Sequence, residues 1–215
     1  MQLFSPRATT IFRVVLTLVP LTTAGAGALA YVWSRSDAAW NVGKPAPQPI
    51  PFRHDVHVGT LRINCRYCHA SVERAASAGM PSAAACMSCH SQVWAGASVL
   101  EPLRTSLELN QTIVWASVHR LPDYTYFHHG AHVAKVVACE TCHGRVDQMP
   151  RTVKTSTLSM GWCLDCHRQP TTQLRPPDGV FAMGWAPTAG TASEPPKPFS
   201  DADVRLLTSC STCHR

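Results

Sequence analysis

Residues 65–69 read Cys65-Arg66-Tyr67-Cys68-His69, and the same Cys-x-x-Cys-His spacing returns at Cys86–His90, Cys139–His143, Cys163–His167 and Cys210–His214. The five copies use all 10 cysteines. A zinc ribbon needs two Cys pairs per ion and gives no reason for a His after every second Cys; five pairs also divide badly among four-ligand sites. A redox dithiol normally occurs once, beside a strand and a helix, and leaves the five histidines unexplained. Covalent haem attachment accounts for every position, because two thiols add to the two haem vinyl groups and the adjacent imidazole reaches the iron as its proximal ligand. The motifs therefore predict five covalently bound haem c groups. Cys65, Cys68, Cys86, Cys89, Cys139, Cys142, Cys163, Cys166, Cys210 and Cys213 are the expected tethers, and His69, His90, His143, His167 and His214 the proximal ligands.

Five porphyrins change what 215 residues can build. Each is a large flat apolar body, so a chain wrapped around several of them needs little side-chain core, and 17 Pro and 12 Gly suit a loop-rich wrap. The expected fold is mostly irregular, with short α-helices around the haems. The formal charge of +6 counts polypeptide alone. Two propionates and a ferric iron give each haem about −1, so five bring about −5 and the oxidised holoprotein lies near neutrality. No charge argument for a nucleic-acid partner survives this correction. Of the 19 basic residues, 15 are Arg, whose planar fork suits paired bonds to a carboxylate; an Arg-rich background composition explains the bias equally well.

Val14–Trp33 runs 20 residues without a charge, long enough to span a bilayer as one transmembrane helix. Arg7 and Arg13 precede it, Arg35 and Asp37 follow it, and Tyr31 and Trp33 stand where an aromatic belt belongs. This predicts a cytoplasmic N-terminus and a haem domain on the periplasmic side of the cytoplasmic membrane, where c-type haem is attached. A cleaved signal peptide competes, since Ala28-Leu29-Ala30 fits a small-residue cleavage site, but the apolar run is longer than a usual signal-peptide core.

A repeat organises the rest. Phe52-Arg53-His54-Asp55-Val56-His57-Val58 matches Phe127-His128-His129-Gly130-Ala131-His132-Val133, and each is followed by two haem motifs. The chain then reads as a membrane anchor (1–35), a Pro-rich extended linker (36–51), a first dihaem module (52–98), a connector (99–126), a second dihaem module (127–170) and a C-terminal segment carrying the fifth motif (171–215). Val99, Leu103 and Leu107 predict a short helix in the connector, and Asp201 is an expected cap for another before the fifth motif.

Six of the 11 histidines remain for sixth positions. His54, His57, His129 and His132 lie in the repeated Phe-x-His-x-x-His, and His119 lies in the connector; His128 falls outside the repeat and stays unassigned. Met149 and Met160 sit close to haem motifs, where a thioether either fills an apolar gap or ligates iron. Because His/Met ligation raises the potential, the expectation is four bis-His haems and one His/Met haem, with Met149 ahead of Met160.

Phe-x-His-x-x-His followed by paired Cys-x-x-Cys-His resembles the class III multihaem cytochromes c of the c3 and c7 kind. The resemblance implies that His54 and His129 serve the haems on His69 and His143, while His57 and His132 reach others. Over most of residues 10–215, the apolar span together with HVGTLRINCRYCH, VHRLPDYTYFHH, CHGRVDQMP, MGWCLDCHR and CSTCHR is similar to the pentahaem subunit of alternative complex III. That implies a membrane-anchored electron carrier in a quinol oxidoreductase, passing electrons from an iron–sulfur subunit to a monohaem cytochrome c or an oxidase. The quinone site would lie in partner subunits. A multihaem reductase needs an open iron position, which the supply of His and Met opposes. A small membrane-anchored multihaem quinol dehydrogenase remains as an alternative, but the Met that resemblance expects after the first motif is replaced by Ala70-Ser71-Val72. A free periplasmic shuttle requires loss of the apolar span.

Overall fold

A computed structural model describes residues 5–186 and 198–214. Contacts divide the chain into two units, Met1–Val42 and Gly43–Arg215.

The first unit is built on α1 (Pro6–Arg35). Ser5 caps it by accepting the Ala8 N–H at 3.3 Å, and Pro6 occupies a first-turn position whose missing N–H costs nothing. The helix extends the apolar run by more than a turn at its N-terminal end and keeps Pro20 inside it. Thr10, Thr17, Thr22 and Thr23 donate their hydroxyls to carbonyls one turn earlier, which hides polar groups that the surface would otherwise present. None of its residues is buried within the protein. At 30 residues it is about 45 Å long, enough by length and composition to cross a bilayer.

The second unit is a chain of short helices and turns: α2 (Cys65–Cys68), α3 (Ala83–His90), α4 (Glu101–Glu108), α5 (His129–Ala134), α6 (Cys139–His143), α7 (Met160–Arg168), α8 (Asp201–Leu207) and α9 (Cys210–Cys213). Among the described residues there is no strand, only an isolated antiparallel bridge between Val137 and Leu174. Small polar residues start these helices: Asn64 caps α2, Ser82 α3 and Ser159 α7. The cap of α8 is Ser200 rather than Asp201; Ser200 and Asp203 form a reciprocal capping box and leave Asp201 in the first turn, where its charge still suits the helix dipole.

Gly43 to Pro51 is extended, as its prolines require, but it is packed against the rest of the second unit rather than standing free. The Gly43 N–H donates to the Lys154 carbonyl at 2.8 Å, the Gln48 amide pairs in both directions with the Ala116 backbone, and Ile50 is buried. Ile50 joins Ala83, Leu100 and Leu103 in a small cluster at the foot of α3 and α4.

That cluster, with Val72, Ala138 and Val180, is the whole buried apolar core of the described residues, and none of the large side chains is fully buried. A folded monomer of this mass exposes roughly 9,700 Å². This chain exposes 15018 Å². Part of the excess is α1, whose large apolar residues are exposed.

The two repeats dock on each other through glycines. The turn Asp55–Thr60 packs against the turn Val146–Gln148, and a Cβ on Gly59 would overlap the Asp147 carbonyl oxygen. In the reciprocal contact, a Cβ on Gly130 of α5 would stand 2.9 Å from the Glu73 carbonyl oxygen. Since Ala favours helical backbone over Gly, any loss from these substitutions reports the contact. Gly59→Ala and Gly130→Ala are expected to lower the thermal midpoint of the holoprotein, whereas Gly96→Ala, which meets no atom within 4 Å, leaves it unchanged. Equal midpoints for all three in a thermal melt would contradict the docking.

Candidate haem sites

Every Cys-x-x-Cys-His is carried on a short helix, α2, α3, α6, α7 or α9. Cysteines three apart on one turn share a face, and the following histidine leaves at the helix end.

The histidines themselves are held in a common way. The Nδ1–H of His69 donates to the Gly79 carbonyl at 2.7 Å, that of His90 to Val93 at 3.0 Å, that of His167 to Leu207 at 2.9 Å and that of His214 to Tyr124 at 3.1 Å. The repeat histidines follow: His57 donates to the Arg53 carbonyl at 2.8 Å, His132 to His128 at 2.9 Å and His129 to Ala76 at 2.7 Å. Nδ1 of His54 is bonded to the Thr152 hydroxyl at 2.9 Å. A carbonyl only accepts, so Nδ1 carries the proton and Nε2 is left as the free lone pair, the arrangement a metal-ligating imidazole needs. His128 does the opposite. Its Nδ1 accepts the Ala131 N–H at 3.2 Å and caps α5.

Phenylalanine explains the rest of the repeat. Phe52 stacks on His57 (4.4 Å between ring centres, 28°) and meets His54 edge-on (4.8 Å, 85°). Phe127 does the same to His132 (4.5 Å, 29°) and His129 (4.7 Å, 90°). The ring at the head of the motif thus holds one imidazole stacked on its face and the other against its edge.

These attitudes present pairs. His57 faces His90 at 6.1 Å between ring centres, His132 faces His167 at 6.2 Å, and His129 faces His143 at 6.3 Å with planes only 7° apart. Two metal–nitrogen bonds of about 2 Å, plus about 1.1 Å from each nitrogen to its ring centre, give about 6.2 Å for collinear imidazoles sharing one metal. The spacing fits an iron between each pair. His54 and His69 are mutual electrostatic neighbours in the corresponding place of the first repeat.

Burial favours the neutral form of four of the imidazoles, as ligation requires. It pushes His54 down to about 4, aided by His69 and His57, and His143 down to about 3, aided by His119, His129, His69 and His54. His132 is lowered for the same reason. His119 is also pushed down to about 4, by burial and then by Lys154. Its ring lies edge-on to His143 at 4.3 Å, so the connector histidine is brought to the third motif. Its Nε2 and the Trp115 Nε1 are buried polar atoms without a hydrogen-bond partner among the described residues. An iron and a propionate are groups that would satisfy them. The residues present therefore fit haem.

The two methionines are placed differently. Met149 lies beside the first repeat, its carbonyl accepting the Asp55 N–H at 3.3 Å, and Met160 is 63% exposed at the start of α7. His214 has the Tyr124 ring at 5.9 Å, and among the described residues no second imidazole faces it at the pairing distance. Sequence reasoning missed Thr152, Phe52 and Phe127. The phenylalanines were visible as a repeated letter, whereas Thr152 lies 98 residues from the histidine it holds and carried no signal.

Residues 125–215 match the family described as cytochrome c7 and related cytochrome c. Over those residues the fold is c7-like. The chain is also 36% identical over 99 residues to the multiheme cytochrome c subunit of the menaquinone reductase of Nitratidesulfovibrio vulgaris strain Hildenborough. The match covers 45% of this chain and 45% of the relative. Covalently bound haem c follows from the fold and the Cys pairs together.

Thr152→Val is expected to free the His54 ring and alter the electron paramagnetic resonance signal and midpoint potential of one haem, while Thr152→Ser preserves both. His128→Leu should cost about 1 kcal/mol of stability through the lost cap without changing any iron's spin state. His129→Leu, next to it, should convert one low-spin iron to high spin. A spin-state change in His128→Leu would show the cap assignment to be wrong.

Proposed function

We propose that the chain is the membrane-anchored pentahaem electron-transfer subunit of a quinol:electron-acceptor oxidoreductase of the alternative complex III kind. The observation that carries this reading is the set of imidazole pairs at 6.1, 6.2 and 6.3 Å, each with its Nδ1 protons committed or its ring fixed by a neighbour. Residues that occupy both sides of an iron leave no position for a substrate. Bound haem supplies reversible one-electron exchange between ferric and ferrous iron. The polypeptide contributes ligand orientation, burial and spacing.

The menaquinone reductase relative supports a place beside a quinol-reactive partner, and the length and composition of α1 support a membrane attachment; the haem domain is proposed to lie on the periplasmic side. An iron–sulfur subunit is the proposed donor and a monohaem cytochrome c or an oxidase the proposed acceptor. One of the five haems is proposed to be His/Met, with Met149 ahead of Met160, which would raise its potential above the bis-His set.

Gentle purification from membranes is expected to bring down an iron–sulfur protein with this chain, and the intact mass should show five covalent haem increments. Alkaline carbonate should leave it in the membrane pellet. A chain extracted alone by carbonate, or carrying zinc and no covalent haem, would sink the reading. The oxidised protein should also show the weak near-infrared charge-transfer band of His/Met haem, lost in Met149→Leu or Met160→Leu; its absence in the wild type would leave bis-His ligation throughout.

A further inference from the structure

We infer that the five attachment sites stand in space in the order second, first, third, fourth, fifth, a single file whose ends are the motifs at Cys86–His90 and Cys210–His214. The inference rests on reading all five motifs as haem tethers, and it assigns the spatial order that this reading leaves open.

Each link is carried by contacts between tether segments. The second and first sites meet where the Tyr67 hydroxyl bonds the Ser88 hydroxyl at 2.7 Å; both residues lie between the cysteines of their motifs, and Cys68 and Cys86 are electrostatic neighbours. The first and third sites meet directly, because the Cys65 and Cys139 side chains interact and His143 has His69 and His54 as electrostatic neighbours. Across the same junction, the Ala76 carbonyl after the first motif holds His129, and Thr152 after the third motif holds His54. The third and fourth sites are joined through α5, which offers His129 to one and His132 to the other, and Cys142 has Cys166 and Cys163 as electrostatic neighbours. The fourth and fifth sites are joined by α7 on α8 and by His167 donating to the Leu207 carbonyl, and Cys163 has Cys213 as an electrostatic neighbour.

Exposure agrees independently. Cys89 of the second motif and Cys210 of the fifth are the two exposed cysteines, and the other eight are partly buried. Those two motifs are the proposed ends.

The departure from chain order has a structural cause. Two copies of one module dock reciprocally through their first motifs, Gly59 against Asp147 and Gly130 against Glu73. First motifs therefore face each other and second motifs point outward. The fifth motif then extends the second module, and the first module keeps a bare end at Cys86–His90.

The test uses fully reduced holoprotein, which is diamagnetic when every iron is low-spin. Fewer than five haem increments in its intact mass would already defeat the tether reading, before order is asked. With five present, proton cross-relaxation spectra are expected to connect the thioether protons at Cys65 with those at Cys139, and those at Cys163 with those at Cys213. Cross-peaks joining the haem on Cys86 and Cys89 to the haem on Cys139 and Cys142 would overturn the order. Deletion supplies a second reading: removing an end site by Cys86→Ser with Cys89→Ser should shift one other midpoint potential, and removing an interior site by Cys65→Ser with Cys68→Ser should shift two. The reverse pattern favours chain order and overturns the inference; if either variant fails to fold, the wild-type spectra decide.

Discussion

An imidazole can ligate iron at a reproducible angle only when its other nitrogen is held, and the rest of this structure serves that hydrogen bond. Seven histidines donate Nδ1–H to backbone carbonyls at 2.7 to 3.1 Å. Backbone acceptors cannot be lost by point mutation and do not rotate, so they fix tautomer and ring plane together. The price is that loops without regular structure must be placed to within a few tenths of an ångström. Gly79 illustrates it: the residue that offers its carbonyl to His69 sits at φ +80°, a conformation that L side chains rarely adopt.

Duplication solves the placement problem. A single module has a Phe-x-His-x-x-His turn and two tether helices, but the group that holds its first histidine comes from the other module: Thr152 for His54, Ala76 for His129. The swap differs in chemistry, a side-chain hydroxyl in one direction and a backbone carbonyl in the other. Local backbone differs too, since the first repeat winds as a wide π-turn over Asp55–Thr60 and the second as α5. Yet Phe52 and Phe127 hold their histidines within about 0.1 Å and 5° of the same geometry. What the repeat preserves is ring attitude, and the helix type bends to deliver it.

The five Cys-x-x-Cys-His turns and the repeated Phe-x-His-x-x-His were legible in the sequence because spacing alone encodes them: Cys residues three apart need one helical turn, and so do His54 and His57. The cap at Ser200 was misread as Asp201 because both are good capping residues one position apart, and only the bond from Asp203 back to Ser200 separates them. The role of 43–51 was hidden for a different reason. Its prolines dictate extended backbone, but whether an extended segment is solvated or packed depends on a long-range partner, here Ala116, 68 residues from Gln48. Partner choice between distant loops leaves no periodic trace. For the same reason, His119 was recognisable as a spare histidine while its place beside His143 was not.

The thin polypeptide core bears on when this fold can form. Hydrophobic burial must offset a backbone ordering cost of about 1–2 kcal/mol per residue, and a cluster of Ile50, Ala83, Leu100 and Leu103 with three scattered companions is far too small for a unit of this length. The missing apolar area has to come from the porphyrins. Noncovalent capture would then be circular, because the pockets that bind haem exist only once haem is present. Thioether attachment breaks the circle: it needs only two thiols brought within one turn, a proximity that the Cys-x-x-Cys spacing itself supplies without a preformed pocket. Each tether then fixes one apolar surface to a known point on the chain, and the Nδ1 bonds, the reciprocal glycine contacts and the imidazole pairs assemble around it. Covalent attachment is in this sense a folding device as well as a means of retention.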